Sequence, residues 1–282
     1  MIRQPVVAGS FYPGEPNRLR KQIEQCFLGA VGPGELPRAN PEGKREIVGL
    51  VSPHAGYVYS GPVAAYGMYF LARDQLPSLI VMMGPNHTGM GADVSIQAQG
   101  SWKTPLGEVE IDSAAAKAIL ENSKEAEEDR RAHVLEHSIE VQLPFLQYVY
   151  GSDFKFVPIC FMDQSLETCR DVGLAVAGAL RKTDSFVIIA STDFTHYESH
   201  ETAVEKDGYA IKAIQELSPK NLMHAVAHYN ISMCGPGPVA AMLFAAKDLG
   251  ATAAELLSHK TSGDTSGDYS SVVGYASILV KK

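Results

Sequence analysis

The sequence predicts an α/β protein built on a buried sheet. Short apolar runs alternate with longer amphipathic ones along most of the chain, the pattern of strands interleaved with covering helices. The chain has 282 residues with 45% apolar content, enough for a substantial core. Pro and Gly fall between these runs, where such a fold places its loops.

Taken in order, the expected strands are 46–52 (EIVGLVS), 78–84 (SLIVMMG), 93–98 (DVSIQA), 154–160 (FKFVPIC), 185–192 (SFVIIAST) and 271–280 (SVVGYASILV). Each is a short run of Val, Ile, Phe or Met with no helical stripe, so both of its faces are expected to be covered. The expected helices lie at about 15–28, 61–72, 112–122, 138–149, 165–181, 201–216, 219–229 and 237–249. The Pro- and Gly-rich stretch 29–44 reads as an exposed connection, because too little chain precedes it to form a domain. The mixed-charge stretch 121–133 is expected on the surface, and TSGDTSGD at 261–268 as a flexible turn. Residues 1–282 are read as a single domain.

The formal charge of −8 and the lack of a basic run argue against a nucleic-acid partner. No apolar run is long enough to cross a bilayer, so no membrane partner is expected. The opening MIRQPVVAGSFYPG is broken by Pro5, Gly9 and Pro13 and does not read as a signal peptide, so a cytoplasmic location is expected. Four scattered cysteines without a C-x-x-C pair suit reduced thiols.

In open α/β sheets, ligands bind beyond the carboxyl ends of the strands. Three expected strands end there in a histidine: SPH at 52–54, GPNH at 84–87 and STDFTH at 191–196. The first two place His54 and His87 on turns stiffened by Pro53 and Pro85, the support that a metal ligand needs. Each histidine taken alone is also explained by a hydrogen bond to its own loop. Asp193 is a candidate to orient an imidazole, or else a cap for the helix near 201, and His196 a candidate base. Glu136 and His137 precede the helix expected at 138–149, with Ser138 available to cap it. Cys234 lies in MCGPGP ahead of a helix whose N-terminus would lower the thiol pKa; a small buried apolar role is the alternative. The His224–His228 pair reads as a helix surface stripe.

Together AGSFYPG (8–14), SPHAGYVYSG (52–61), GPNH (84–87), EHSIEVQLPF (136–145), STDFTH (191–196), MCGPGP (233–238) and the closing SSVVGYAS resemble the Memo family over nearly the whole chain. The resemblance implies a three-layer α/β/α fold around a largely parallel or mixed sheet, like that of class III extradiol ring-cleaving dioxygenases. It implies His54, His87 and Cys234 as the metal site and Asp193 and His196 as catalytic residues. Glu136, His137, Ser138, Asn86 and Tyr57 are expected to line the cleft. Iron(II) is the first expected cofactor, with copper next, because Cys234 in place of the dioxygenase carboxylate would make the site softer and more tolerant of copper, and zinc after it. The resemblance further implies a small-molecule or peptide substrate and a functional link to a radical-SAM protein. A metal-dependent redox enzyme is the first functional expectation; a peptide- or phosphate-binding adaptor and a metal-assisted hydrolase are the alternatives.

Overall fold

The computed structural model describes residues 1–42 and 44–282; Gly43, inside the connection expected over 29–44, lies outside them. The strands are β1 (Ile2–Arg3), β2 (Ile47–Ser52), β3 (Leu79–Pro85), β4 (Val94–Ile96), β5 (Ser101–Thr104), β6 (Gly107–Glu110), β7 (Ala126–Glu128), β8 (Lys155–Phe161), β9 (Phe186–Ser191), β10 (His196–Glu198), β11 (Ala253–Thr261) and β12 (Val272–Lys281). The helices are α1 (Pro16–Leu28), α2 (Gly61–Arg73), α3 (Ser113–Asn122), α4 (Leu143–Tyr150), α5 (Leu166–Leu180), α6 (His200–Gln215), α7 (Pro219–His228), α8 (Pro236–Asp248) and the short α9 (Gly263–Ser266).

The large sheet runs β10-β12-β2-β9-β3-β8-β4-β7, with β11 paired to β12. Its centre, β2-β9-β3-β8, is parallel, while β12 and β4 join it antiparallel on either side, so the sheet is mixed. Alternate residues of the central strands serve opposite faces. Val81, Met83, Ile188 and Ala190 pack with α5, α6, α7 and α8, and Ile80, Met82, Val187 and Ile189 with α1, α2 and α4. This is the expected three-layer α/β/α arrangement. Local sequence explains the covering helices. In α1, Glu15 accepts the N–H groups of Asn17 and Arg18, Pro16 opens the first turn, and Leu19, Ile23, Cys26 and Phe27 form one buried stripe. Between α5 and α8 the backbones come so close that a Cβ on Gly173 would stand 2.5 Å from the Ala241 carbonyl oxygen.

Four expectations are corrected. The stretch 138–149 starts as a 3-10 turn over Glu140–Gln142, and α4 begins only at Leu143. Ser138 does not cap it; its hydroxyl donates to the Pro85 carbonyl, because tertiary partners claim the side chains of this segment first. The stretch 121–133 is not wholly on the surface: β7 joins the sheet edge, and Ala132 and His133 are buried. Burial and the Arg3 charge push the His133 imidazole down to about 4. The 261–268 turn contains α9. A separate sheet β1-β5-β6 and strand β11 were not expected. Their segments are short or half-exposed, so their hydrophobic alternation is weak.

Candidate metal centre

Register brings the candidate site together. Ser52 pairs with Ser191 across β2 and β9, and Met83 pairs with Ala190 across β3 and β9, so the carboxyl ends of these three strands stand level. Because β9 lies between β2 and β3, the loop carrying Asp193 emerges between those carrying His54 and His87.

His54 is buried at 2% exposure. Its backbone N–H donates to Asp193 Oδ1 at 2.8 Å, and its Nδ1 lies 2.9 Å from Ser191 Oγ. The Ser191 hydroxyl donates to the Ser138 carbonyl (2.7 Å) and accepts from Gln142 Nε2 (2.9 Å). The Gln142 amide is itself oriented, donating to the Pro53 carbonyl and accepting from Ser52 Oγ, each at 2.9 Å. The serine proton is therefore committed elsewhere, and His54 Nδ1 must carry a hydrogen and donate it. The Nε2 lone pair is left to face Cys234 Sγ, 3.4 Å away. Burial, then the charges of His137 and His87, hold this imidazole well below its ordinary range.

His87 reaches the same tautomer through a charged partner. Asn86 Oδ1 accepts from the N–H groups of Thr88 and Gly89 at 3.0 and 3.1 Å, closing a tight turn beyond β3. Glu136 then takes the His87 backbone N–H on Oε2 and the Nδ1–H on Oε1 at 2.9 Å. Oε1 also accepts the backbone N–H groups of His137 and Ser138, each at 2.9 Å. Burial raises the Glu136 carboxyl, but the His87 hydrogen bond and charge outweigh it and hold it at about 2. Burial lowers His87, and the bond and charge of Glu136 more than reverse this, so its pKa is raised. A glycine is required below: a Cβ on Gly84 would collide with Ser138 Oγ.

His137 completes a cluster. One ring nitrogen each of His54, His87 and His137 lie within 4.8 Å of one another. The His87 and His137 rings stack with centroids 4.7 Å apart. Burial lowers the His137 pKa, with the His87 charge adding to it against Glu136. Cys234 adjoins this trio through His54, its Sγ 3.4 Å from His54 Nε2. The Asp193 backbone N–H donates to that sulfur at 3.2 Å. The expected lowering of the Cys234 pKa is overturned: burial and the Asp193 carboxylate push the thiol up. Desolvation outweighs the nearby start of α8.

Asp193 is raised to about 6 by burial, against the hydrogen bond from the His54 N–H. It does not cap α6, whose first turn is capped by Ser199. His196 Nδ1 faces two carbonyl oxygens, of Phe194 (2.6 Å) and Ser232 (2.8 Å). Both can only accept, so Nδ1 carries the proton and Nε2 keeps a free lone pair. His54, His87, His137, Asp193, His196 and Cys234 line one cleft of about 510 Å³, walled by Phe11, Tyr197 and Val273.

Of the residues expected along the cleft, only His137 lines it. Tyr57 is in the core at 1% exposure, with its hydroxyl on the Val141 carbonyl. Asn86 shapes its own loop; Glu136 and Ser138 sit beneath the histidines. Sequence reasoning missed Ser191, Gln142, Phe11 and Tyr197. Phe11, Gln142 and Ser191 lie inside the motifs AGSFYPG, EHSIEVQLPF and STDFTH, which marked the segments without revealing the side-chain roles.

The fold and site define an α/β protein with a histidine cluster, able to hold a metal ion, at the carboxyl edge of its sheet. The chain belongs to the Memo-like protein family, whose profile matches residues 3–279. It is 51% identical to a MEMO1 family protein of Methanopyrus kandleri, covering all of both chains, and 49% identical to one of Thermotoga neapolitana, covering 99% of this chain and all of the other. An uncharacterized Escherichia coli K12 protein of known crystal structure shares the fold, with a TM-score of 0.56 at 13% identity, over 83% of this chain and 99% of that one. Among the described residues no helix is long and apolar enough to cross a membrane.

Proposed function

We propose that this cleft holds one redox-active metal ion, iron in the first place and copper in the second, and that the protein is a metal-dependent redox enzyme acting on a small substrate. One observation carries the reading. The Nδ1–H groups of His54 and His87 are both engaged by acceptors, which leaves the Nε2 lone pairs, in a cluster where one ring nitrogen each of His54, His87 and His137 lie within 4.8 Å of one another. Metal-binding histidines are oriented in this way by outer partners.

The donor set fits such an ion. Imidazole nitrogen suits iron and copper, and a thiol beside it increases the tolerance for copper; zinc is less suited to redox work. His54 and His87 would hold it, with His137 as the third donor by proximity and Cys234 as the third by family resemblance. A bound ion of this kind supplies electron exchange with the substrate or with oxygen. The chain's own residues do the rest. His196 Nε2 offers a base at the cleft wall. Asp193 is kept in place by the His54 N–H, and its raised pKa suits proton exchange near neutrality. Phe11 and Tyr197 line the same cleft.

The test is metal analysis of anaerobically purified and reconstituted protein, with His137→Ala and Cys234→Ala compared, followed by oxygen uptake with catechol-type compounds. The expected result is stoichiometric iron or copper in the wild type, and loss in whichever variant removes the third donor. Oxygen uptake separates an oxidising enzyme from a hydrolase. A reconstituted wild type that holds no metal overturns the reading and favours a peptide- or phosphate-binding cleft.

A further inference from the structure

The two residues Glu136 and His137 belong to an irregular segment, and the structure shows what fixes its main chain. Arg3, 9% exposed, donates from Nε to the His133 carbonyl at 2.5 Å, from Nη2 to the Glu136 carbonyl at 2.6 Å, and from Nη1 to Glu140 Oε2 at 2.6 Å. The Trp102 ring covers its guanidinium at 4.0 Å. Glu140 is fully buried and accepts in addition from the backbone N–H groups of Val6 (2.9 Å) and Val7 (3.1 Å) and from the Tyr12 hydroxyl (2.6 Å). Phe11, in the segment thus tied down, meets the His137 ring edge-on with centroids 4.8 Å apart.

The peptide joining Glu136 to His137 is held at both ends. Arg3 Nη2 binds its carbonyl oxygen, and the Glu136 carboxylate binds its N–H. Rotation of that peptide would swing the His137 ring and would break the carboxylate's contact with the His137 N–H. Guanidinium suits this task because its donors lie in one plane and point in fixed directions.

We infer that Arg3 is a positioning residue of the metal centre: by clamping the Glu136 carbonyl, and through Glu140 the segment that carries Phe11, it sets the orientation of His137 and of the carboxylate that orients His87. This rests on the metal-centre reading above. Arg3 touches neither the donor nitrogens nor the cleft.

The test uses anaerobic cobalt(II) as the probe on the full chain, with affinity and ligand-field spectrum read for wild type, Arg3→Met, Arg3→Lys and Tyr12→Phe, and with the melting temperature of each apo protein recorded. Loss of an outer partner weakens metal binding by about 10–100-fold in comparable sites. Arg3→Met is expected to fall in that range with an altered spectrum, Arg3→Lys to recover part of both, and Tyr12→Phe to shift affinity least. A purely structural strut would lower the melting temperature and leave the spectrum unchanged. Wild-type affinity and spectrum in Arg3→Met overturn the inference. If that variant does not fold, wild-type behaviour in both Arg3→Lys and Tyr12→Phe overturns it. A wild type that binds no cobalt(II) overturns the metal reading itself, whereas binding that is indifferent to Arg3 overturns this inference alone.

Discussion

His54 and His87 leave neighbouring parts of one sheet edge through the same grammar of strand, proline and histidine, yet the protein treats them oppositely. His54 is buried and leans on a neutral network of Ser191 and Gln142; His87 is exposed and leans on a buried carboxylate. Both arrangements fix the same tautomer. They differ in charge: burial keeps His54 neutral, while Glu136 makes His87 the more basic group. Burial at His54 and the outer partner at His87, and not the local sequence of the ligand, set the electronic character of each imidazole.

The largest effect is expected from deleting both rings. His54→Ala/His87→Ala is expected to abolish stoichiometric metal binding, and each single variant to weaken it by roughly a hundredfold or more, beyond the range for outer partners; metal titration of the reconstituted proteins checks this. Near-full occupancy in the double variant would remove these two residues from the site.

A smaller effect is expected from the partners. Glu136→Gln keeps an acceptor for His87 but removes the charge, and should weaken binding by about 10–100-fold. Ser191→Ala removes a neutral acceptor from His54 and should fall at the low end of that range, with about 1–3 kcal/mol of stability lost because the buried Nδ1–H is left without a partner. Calorimetric titration and chemical denaturation of the two variants side by side read the contrast. Equal metal effects would mean that the charge on Glu136 is irrelevant to His87.

The smallest effect is the pH dependence of the metal-free protein. The folded pKa of His54 lies below its ordinary 6.5, so its contribution to stability is present above that value and is lost as the pH falls. The folded pKa of His87 is raised, so its contribution is complete below 6.5 and is lost as the pH rises through the folded value. His54→Gln should therefore flatten the acid limb of a stability-against-pH curve, and His87→Gln should remove the gain in stability that appears as the pH falls toward 6.5 from above. Proton NMR of the ring Cε1–H signals should show His87 titrating above 6.5 while His54 stays neutral there.

Much of this was legible in the sequence, for identifiable reasons. The central strands are continuous apolar runs because parallel strands are covered on both faces, and that left the strand ends conspicuous wherever a histidine followed a proline. The family motifs carried the grouping of His54, His87, Asp193, His196 and Cys234. Tyr57 misled because AGYVYSG places it three residues from His54, and only packing shows its ring in the core. His133 misled because charged neighbours suggested solvent, whereas Trp102 and Arg3 enclose it.

The sequence by itself determined the α/β class, the strand-end loops and the residue types that face one another across the cleft, because hydrophobic period and turn chemistry are local properties. Tertiary structure decided the rest. Placing β9 between β2 and β3 put Ser191 and Asp193 between the two histidines. Contacts spanning 49 to 137 residues, Glu136 to His87 and Ser191 to His54, chose their tautomers. It also made His137 a member of the cluster and Arg3 the clamp on its main chain, since a hydrogen-bond partner is defined by distance in space, which no local pattern encodes.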